Sequence, residues 1–400
     1  MKNESSYRWV VLGVVSLTVF VGGFTQFMVA PWGAEIAQEL GFAAPNIAGI
    51  VLAPMIVGVL FSLPGGTLAD RFGVKKVLTA ALIVATLGAF LRIWADSYGM
   101  LFFSMFLSGA SGTLAMANSP KILSAWFKPE SLGLAFGIFM AGGGLGSTIG
   151  MAVARLFPTY GQAFWVSAFI MLAVLILWVL LLKDRPEGVE APPRAASAIS
   201  GLASVIKLPH VWLLGAGMAF FTAANMTYSS LLPTGLQADK GMTPAQAGVA
   251  ASVIMLGSLL GSLGAPIALK ISRGLAKPVI LSSGIAGGVF LFLAWFTAPN
   301  PVFMLFLCLG GISLAMAMTV IMSGPSQLPE VTLQSVGAAG GLISTVQMAG
   351  AFAIPTWIIT PIGGGNYTLI FLLGSLCSLL ITGALAFIPE FSKARQGANN

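Results

Sequence analysis

The sequence predicts an all-α membrane protein, with twelve transmembrane helices in two pseudo-symmetric six-helix halves. Three observations carry that expectation. The 400 residues are 57% hydrophobic and 8% charged, with mean hydropathy +0.94. A soluble domain carries about 25% charged residues, so most of these side chains must face something other than water. Apolar runs near the ~20 residues that cross a bilayer core recur along the whole chain. Features of the first half also return in the second at an offset of 199 residues: Ala48-Gly49 as Ala247-Gly248, Gly65 as Gly264, and Arg71 as Lys270.

The spans follow in order. The first half holds 8–30, 46–68, 76–95, 100–121, 132–156 and 162–182. The second holds 209–233, 245–269, 277–297, 301–323, 336–359 and 366–388. Each is helical, because backbone groups in lipid must be satisfied within their own segment. The first run, Trp9–Ala30, has spanning length and reads as a membrane helix rather than a cleavable signal. The polar stretch 184–208, with Pro186, Pro192 and Pro193, reads as a cytoplasmic linker between a half at 1–183 and a half at 209–388. Residues 389–400 form a cytoplasmic tail. Span five carries Gly137 and then A-G-G-G-L-G-S-T-I-G at Ala141–Gly150, and span eleven opens G-A-A-G-G at Gly337–Gly341. Glycine at this density lets helix backbones touch. Gly142, Gly143 and Gly146 are the candidates for a smooth face along which rocking spans slide.

Lys and Arg in the loops set the orientation. With the N-terminus inside, sixteen of the nineteen basic residues fall in inner segments. Lys240 alone lies in an outer loop, while Arg92 and Arg155 lie near outer span ends. A multi-pass inner-membrane protein with both termini cytoplasmic is expected. The net charge of +7 is spread over short loops, so topology accounts for it and no nucleic-acid partner is expected.

Several chemistries are disfavoured. One histidine, His210, makes neither a metal cluster nor a catalytic triad, and Cys308 and Cys377 sit inside apolar runs as core thiols. No phosphate-binding loop, dinucleotide-binding glycine string or nucleophile elbow occurs. No enzyme, cofactor or metal is expected, and transport would be secondary. The twelve carboxylates all fall in loops or at span ends. A dedicated carboxylate proton relay within the membrane is therefore not expected. Facilitated diffusion, exchange with a counter-substrate, and proton coupling through the substrate stay open.

Polar residues inside spans are the candidates for substrate binding, since they must find partners in a neighbouring helix or a wet cavity. They are Gln26 in span one, Asn118 near the inner end of span four, Asn225 and Tyr228 in span seven, and Gln347 in span eleven. Arg92 in span three has two readings. It either snorkels to the outer interface near Asp96, four residues on, or attracts an anion at the outer mouth. Arg155 has the same two readings.

Residues Gly65–Lys76 read G-G-T-L-A-D-R-F-G-V-K-K, a charged, glycine-bearing turn between two apolar runs. The string resembles the signature loop of the major facilitator superfamily of transporters, with Gly66, Leu68, Asp70, Arg71, Gly73 and Lys75 on the pattern. The second half lacks the acid, since Leu269 stands in the place of Asp70. The resemblance implies the major facilitator fold, alternating access, and a gating role for Gly66, Asp70, Arg71, Gly73 and Lys75. Asp70 would latch the inner side against the start of span eleven. The run from Leu91 to Gly150 is similar to the cyanate permease and nitrate/nitrite porter branches, through Arg92 and Asn118–Lys121. The paired mid-span arginines of nitrate porters are absent from spans two and eight, which counts against nitrate. Pro120–Phe127 and Gln347 also resemble carriers of choline, whose cargo would want an aromatic cage from Trp9, Trp32, Tyr228 or Trp357. The expected function is a monomeric secondary or facilitative transporter of a small organic or inorganic anion. The alternatives are a choline-like cation or amphipathic drug as cargo, or a receptor that binds without translocating.

Overall fold

The structure is a computed structural model. It describes residues 6–62, 64–127, 129–183, 202–322 and 335–388, with Gly324, Leu328, Glu330 and Val331 between the last two stretches. Every regular element among the described residues is helical. The first half holds α1 (Tyr7–Phe27), α2 (Ala44–Phe61), α3 (Val74–Leu91), α4 (Tyr98–Trp126), α5 (Pro129–Val153) and α6 (Tyr160–Leu181). The second half holds α7 (Pro209–Lys240), α8 (Pro244–Ile271), α9 (Ala276–Phe296), α10 (Pro301–Met322), α11 (Val336–Ala353) and α12 (Tyr367–Ala386). Most of the proposed linker and the tail beyond Ile388 lie outside the described residues.

Among the described residues, eleven segments are long and apolar enough to cross a membrane. The twelfth, α7, has 32 residues and is about 48 Å long at 1.5 Å per residue, but it is too polar to meet that composition. Its polarity is tolerated because protein surrounds it. Thr222, Asn225, Thr227, Tyr228, Ser229, Ser230 and Thr234 are all buried. Thr222, Thr227 and Ser230 each donate to the carbonyl four residues back, as hydroxyls in helices do when no other acceptor is near.

Three segments depart from the expected spans. Beyond α1 the chain continues through a 3-10 turn at Ala30–Trp32 into a further helix, Gly33–Leu40. Helix α2 is broken before Pro54, which has no N–H to give, and the backbone tightens there with Ala53 N donating to the Ile50 carbonyl. Helix α11 widens into a π segment at Ile354–Ile359 around Pro355 before continuing to Gly363. The charged string at Gly65–Lys76 is also not the turn expected of it. Pro64–Phe72 is helical, and the reversal is confined to Gly73, whose φ of 91° favours glycine.

The packing repeats between the halves. Helix α1 packs on α4, α5 and α6, and α7 packs on α10, α11 and α12. The α2–α4, α3–α4 and α3–α6 pairs are matched by α8–α10, α9–α10 and α9–α12. The halves meet along α5–α8 and α2–α11, which exchange under the same symmetry. Parallel six-helix repeats about an axis along the membrane normal give this arrangement. Glycines allow the close contacts. Gly142, Gly146 and Gly150 on α5 face the Ser16, Phe20 and Phe24 carbonyls of α1, so a Cβ at any of them would overlap backbone. Gly257 and Gly261 on α8 face α10 in the same way. The α5 stripe therefore seals helices of one half, and is not the sliding face between halves that the sequence suggested. Gly144 is the α5 glycine that faces the other half, at Leu259.

On the side away from the termini the halves interlock. A Cβ at Gly33 would meet Thr234 at 2.8 Å, and one at Gly248 would meet the Met151 carbonyl at 3.2 Å and Pro31 at 3.4 Å. The Phe102 and Phe352 rings meet edge to face at 6.2 Å. Met28, Val29, Ala48, Leu231 and Ala247 are fully buried there. Toward the termini, Gly13 and Leu17 of α1 are exposed, and Leu213, Ala216 and Phe220 of α7 are half-buried.

Candidate functional site

Two helix breaks create the first part of the site. Where α1 and α2 lose regular geometry, carbonyls lose their helical donors. Gln26 Nε2 donates to the Val51 carbonyl at 3.0 Å, beside the α2 break. Arg92, in the 3-10 turn after α3, donates from Nη1 to the Thr25 carbonyl in the last turn of α1 at 2.9 Å. A cation at a helix C-terminus also meets the negative end of the helix dipole. Arg92 Nη2 donates to Ser108 Oγ of α4 at 3.0 Å, and the guanidinium lies 5.6 Å from the Phe164 ring centre.

Arg92 is 1% exposed, and its Nε has no partner. Among the described residues no carboxylate pairs with it, Asp96 included. The side chain is thus enclosed by protein rather than extended toward Asp96. It turns inward into the first half, against α1, α4 and α6.

The second part is an amide and hydroxyl cluster on α7, α8 and α11. Asn225 Nδ2 donates to Ser258 Oγ at 3.2 Å, and Gln347 Nε2 donates to Thr222 Oγ1 at 3.1 Å. Thr222 and Asn225 share a face of α7, three residues apart. Gln26 and Asn225 lie 199 residues apart and so occupy equivalent places in the two halves. The Gln26 and Gln347 amide oxygens accept no hydrogen bond from the described residues and are not sealed from solvent. Each of these two amides therefore keeps an acceptor and one N–H without a partner among the described residues.

Two expected residues stand apart from this cluster. The Tyr228 hydroxyl lies 2.8 Å from Ser375 Oγ, 3.0 Å from the Phe371 carbonyl and 3.2 Å from the Leu291 carbonyl, inside the second half. Asn118 Nδ2 donates to the Leu114 carbonyl at 2.9 Å and the Gly65 carbonyl at 3.3 Å, bracing α4 against the short helix Pro64–Phe72. Its Oδ1 is buried without a partner.

Of the gating set, Lys75 donates to the Leu182 carbonyl at 2.6 Å at the end of α6. Arg71 is exposed and stacks on Phe72 at 5.2 Å. Gly66 and Asp70 fall in the short helix, and the Asp70 side chain lies outside the described residues.

The aromatic candidates form no cage. Arg155 covers the Trp32 ring at 3.9 Å and Arg8 lies 5.5 Å from that of Trp9, while Tyr228 packs on Phe371 at 4.9 Å. Trp357 is 69% exposed.

A further cluster escaped the sequence. Arg155 pairs with Glu35 and donates from Nε to the Pro31 carbonyl at 3.1 Å. Gln237 of α7 donates to the Pro233 carbonyl at 3.0 Å and reaches the same Pro31 carbonyl at 3.5 Å. No spacing rule pairs residues more than a hundred positions apart. Thr222, by contrast, could have been found from its helical spacing to Asn225.

The family model described as Major Facilitator Superfamily matches residues 15–355. The probable nitrate/nitrite transporter NarK2 of Mycobacterium tuberculosis is 25% identical over 281 residues, covering 68% of this chain and 69% of its own. The probable galactarate/D-glucarate transporter GarP of Escherichia coli is 24% identical over 331 residues, covering 71% of this chain and 73% of its own. The crystal structure of a bacterial homolog of the human lysosomal transporter Spinster, inward-facing and unoccupied, superposes with TM-score 0.68 at 16% identity over 96% of both chains. That likeness is one of fold.

Proposed function

The chain belongs to the major facilitator superfamily, and from that membership we propose that it is a secondary carrier of a small organic or inorganic anion, working across the inner membrane by alternating access. The observation that carries the anion reading is Arg92. It is a buried cation with no carboxylate partner among the described residues, bonded to the residue next to Gln26. A buried cation without a counter-charge is costly, and an anion arriving near α1 lowers that cost. Arg92 would act through its field, while Gln26, Asn225 and Gln347 would supply hydrogen bonds. Relatives named for nitrate/nitrite and for sugar diacids support the same charge class. The occupied or unavailable ring faces of Trp9, Trp32 and Tyr228 argue against a choline-like cargo.

The moving bodies would be 1–183 and 209–388. The inside-positive loops would place both termini in the cytoplasm, so the interlocked side would be the outer one and the state inward-facing.

Purified protein in liposomes tests this with labelled nitrate, glucarate and choline. At least one anion should exchange. Arg92→Gln should raise the half-saturating anion concentration about tenfold, the equivalent of ~1.4 kcal/mol, with Arg92→Lys nearer wild type. Exchange of choline alone, or an unchanged half-saturation in a folded Arg92→Gln protein, would refute the anion reading.

A further inference from the structure

An apolar groove of about 330 Å³ opens on the flank of the first half, between α2 and α3 with α4 as its floor. Val57 and Phe61 of α2, Leu68 of the short helix, Ala80 and Val84 of α3, and Leu107 of α4 line it, and no polar side chain does. Helices α2 and α3 scarcely touch one another directly, so none of the described residues fills the space. Nearby Leu60, Leu87 and Phe103 are more than half exposed, as expected of a flank turned to hydrocarbon rather than to the other half. Gln26, Asn225 and Gln347 take no part in it.

Two cations stand at the terminal-side end of this groove. Arg71 follows Leu68 by three residues on the short helix, and Lys76 precedes Ala80 by four on α3. Residues three and four apart share a helix face, so each cation sits one turn beyond a groove-lining side chain. Both are exposed. From Val77 to Val84 the groove follows α3 for about 10 Å. A hydrocarbon slot ending at two positive charges at the membrane surface has the profile of an amphiphile with an anionic head. We propose that the groove binds one acyl chain of an anionic phospholipid from the leaflet on the side of the chain termini, with its phosphate held by Arg71 and Lys76. Basic residues at such a site favour anionic over zwitterionic headgroups. The bound lipid would brace the short helix against α3, at the single reversal point Gly73. Lipid binding here depends only on the chain spanning a bilayer, and is independent of which solute the carrier moves.

Native mass spectrometry of the full detergent-purified chain tests this, with phosphatidylglycerol and phosphatidylcholine of equal chain length offered together. Wild type should retain phosphatidylglycerol about tenfold over phosphatidylcholine. The double variant Arg71→Gln/Lys76→Gln should lose that preference, whereas Lys270→Gln/Arg273→Gln, in the corresponding loop of the second half, should keep it. Ala80→Trp, which fills the groove at an exposed position, should shed both lipids. Equal retention of the two lipids by wild type would overturn the proposal, as would wild-type retention by Ala80→Trp. Should the double variant not fold, competition on wild type decides. Displacement by lysophosphatidylglycerol but not by glycerol phosphate supports the site, and displacement by glycerol phosphate alone overturns the acyl groove.

Discussion

At the scale of single residues, the decisive facts concern backbone carbonyls rather than side-chain pairs. Arg92 and Gln26 look alike from the sequence, as polar groups stranded in apolar helices. Each is explained by a carbonyl that a helix break released, Thr25 for one and Val51 for the other. Glycine works by the same close approach. A Cβ at Gly146 would overlap the Phe20 backbone, whereas one at Gly143 has nothing nearer than Val19 at 3.8 Å. Gly146→Ala should therefore destabilise the protein by about 1–3 kcal/mol, and Gly143→Ala should be near neutral. Thermal unfolding in detergent compares them, and equal melting temperatures would remove the seam from the account.

At the scale of elements, α7 and the short helix Pro64–Phe72 show how far local pattern can be read. Helix α7 is the most polar span, and its hydroxyls and amides are buried because α8, α11 and α12 enclose it. The charged string before α3 could be seen from sequence as a loop, but its helical state depends on bracing. Asn118 donates to the Gly65 carbonyl, and Ser62 Oγ lies 2.7 Å from Thr345 Oγ1, joining the end of α2 to α11. Asp70 belongs to the same helix. If it latches this corner during the cycle, Asp70→Ala should lower turnover several-fold and leave equilibrium substrate binding unchanged. Binding measured by thermal shift beside liposome exchange separates the two, and weakened binding with normal turnover would count against a latch.

At the scale of the whole molecule, the halves are interlocked on one side only. Ala48 is fully buried on that side, and Gln237 bridges toward Pro31 across the halves. With Cys308 and Cys377 replaced by serine, Ala48→Cys should resist a membrane-impermeant maleimide in the substrate-free protein. Adding Gln237→Ala should raise its labelling rate several-fold. Rapid labelling of Ala48→Cys alone would mean that the interlocked side is not the resting state.

By itself the sequence determined the class, the number of long helices, the repeat and the family. Each follows from local quantities: run length against bilayer thickness, loop charge, and a glycine-and-charge string whose order survives in one dimension. It also pointed to Gln26, Asn225 and Gln347, because an amide within a span stands out against an apolar background. Only the tertiary structure decided what those groups touch. It separated Tyr228 and Asn118 from the central amides, turned Arg92 inward, assigned the α5 glycines to a seam within one half, and revealed the Arg155–Glu35 pair. The reason is physical. Hydrogen bonds reach about 3 Å, and residues at that distance here lie as many as 283 positions apart. Their pairing depends on how helices are packed and broken, which no local pattern encodes.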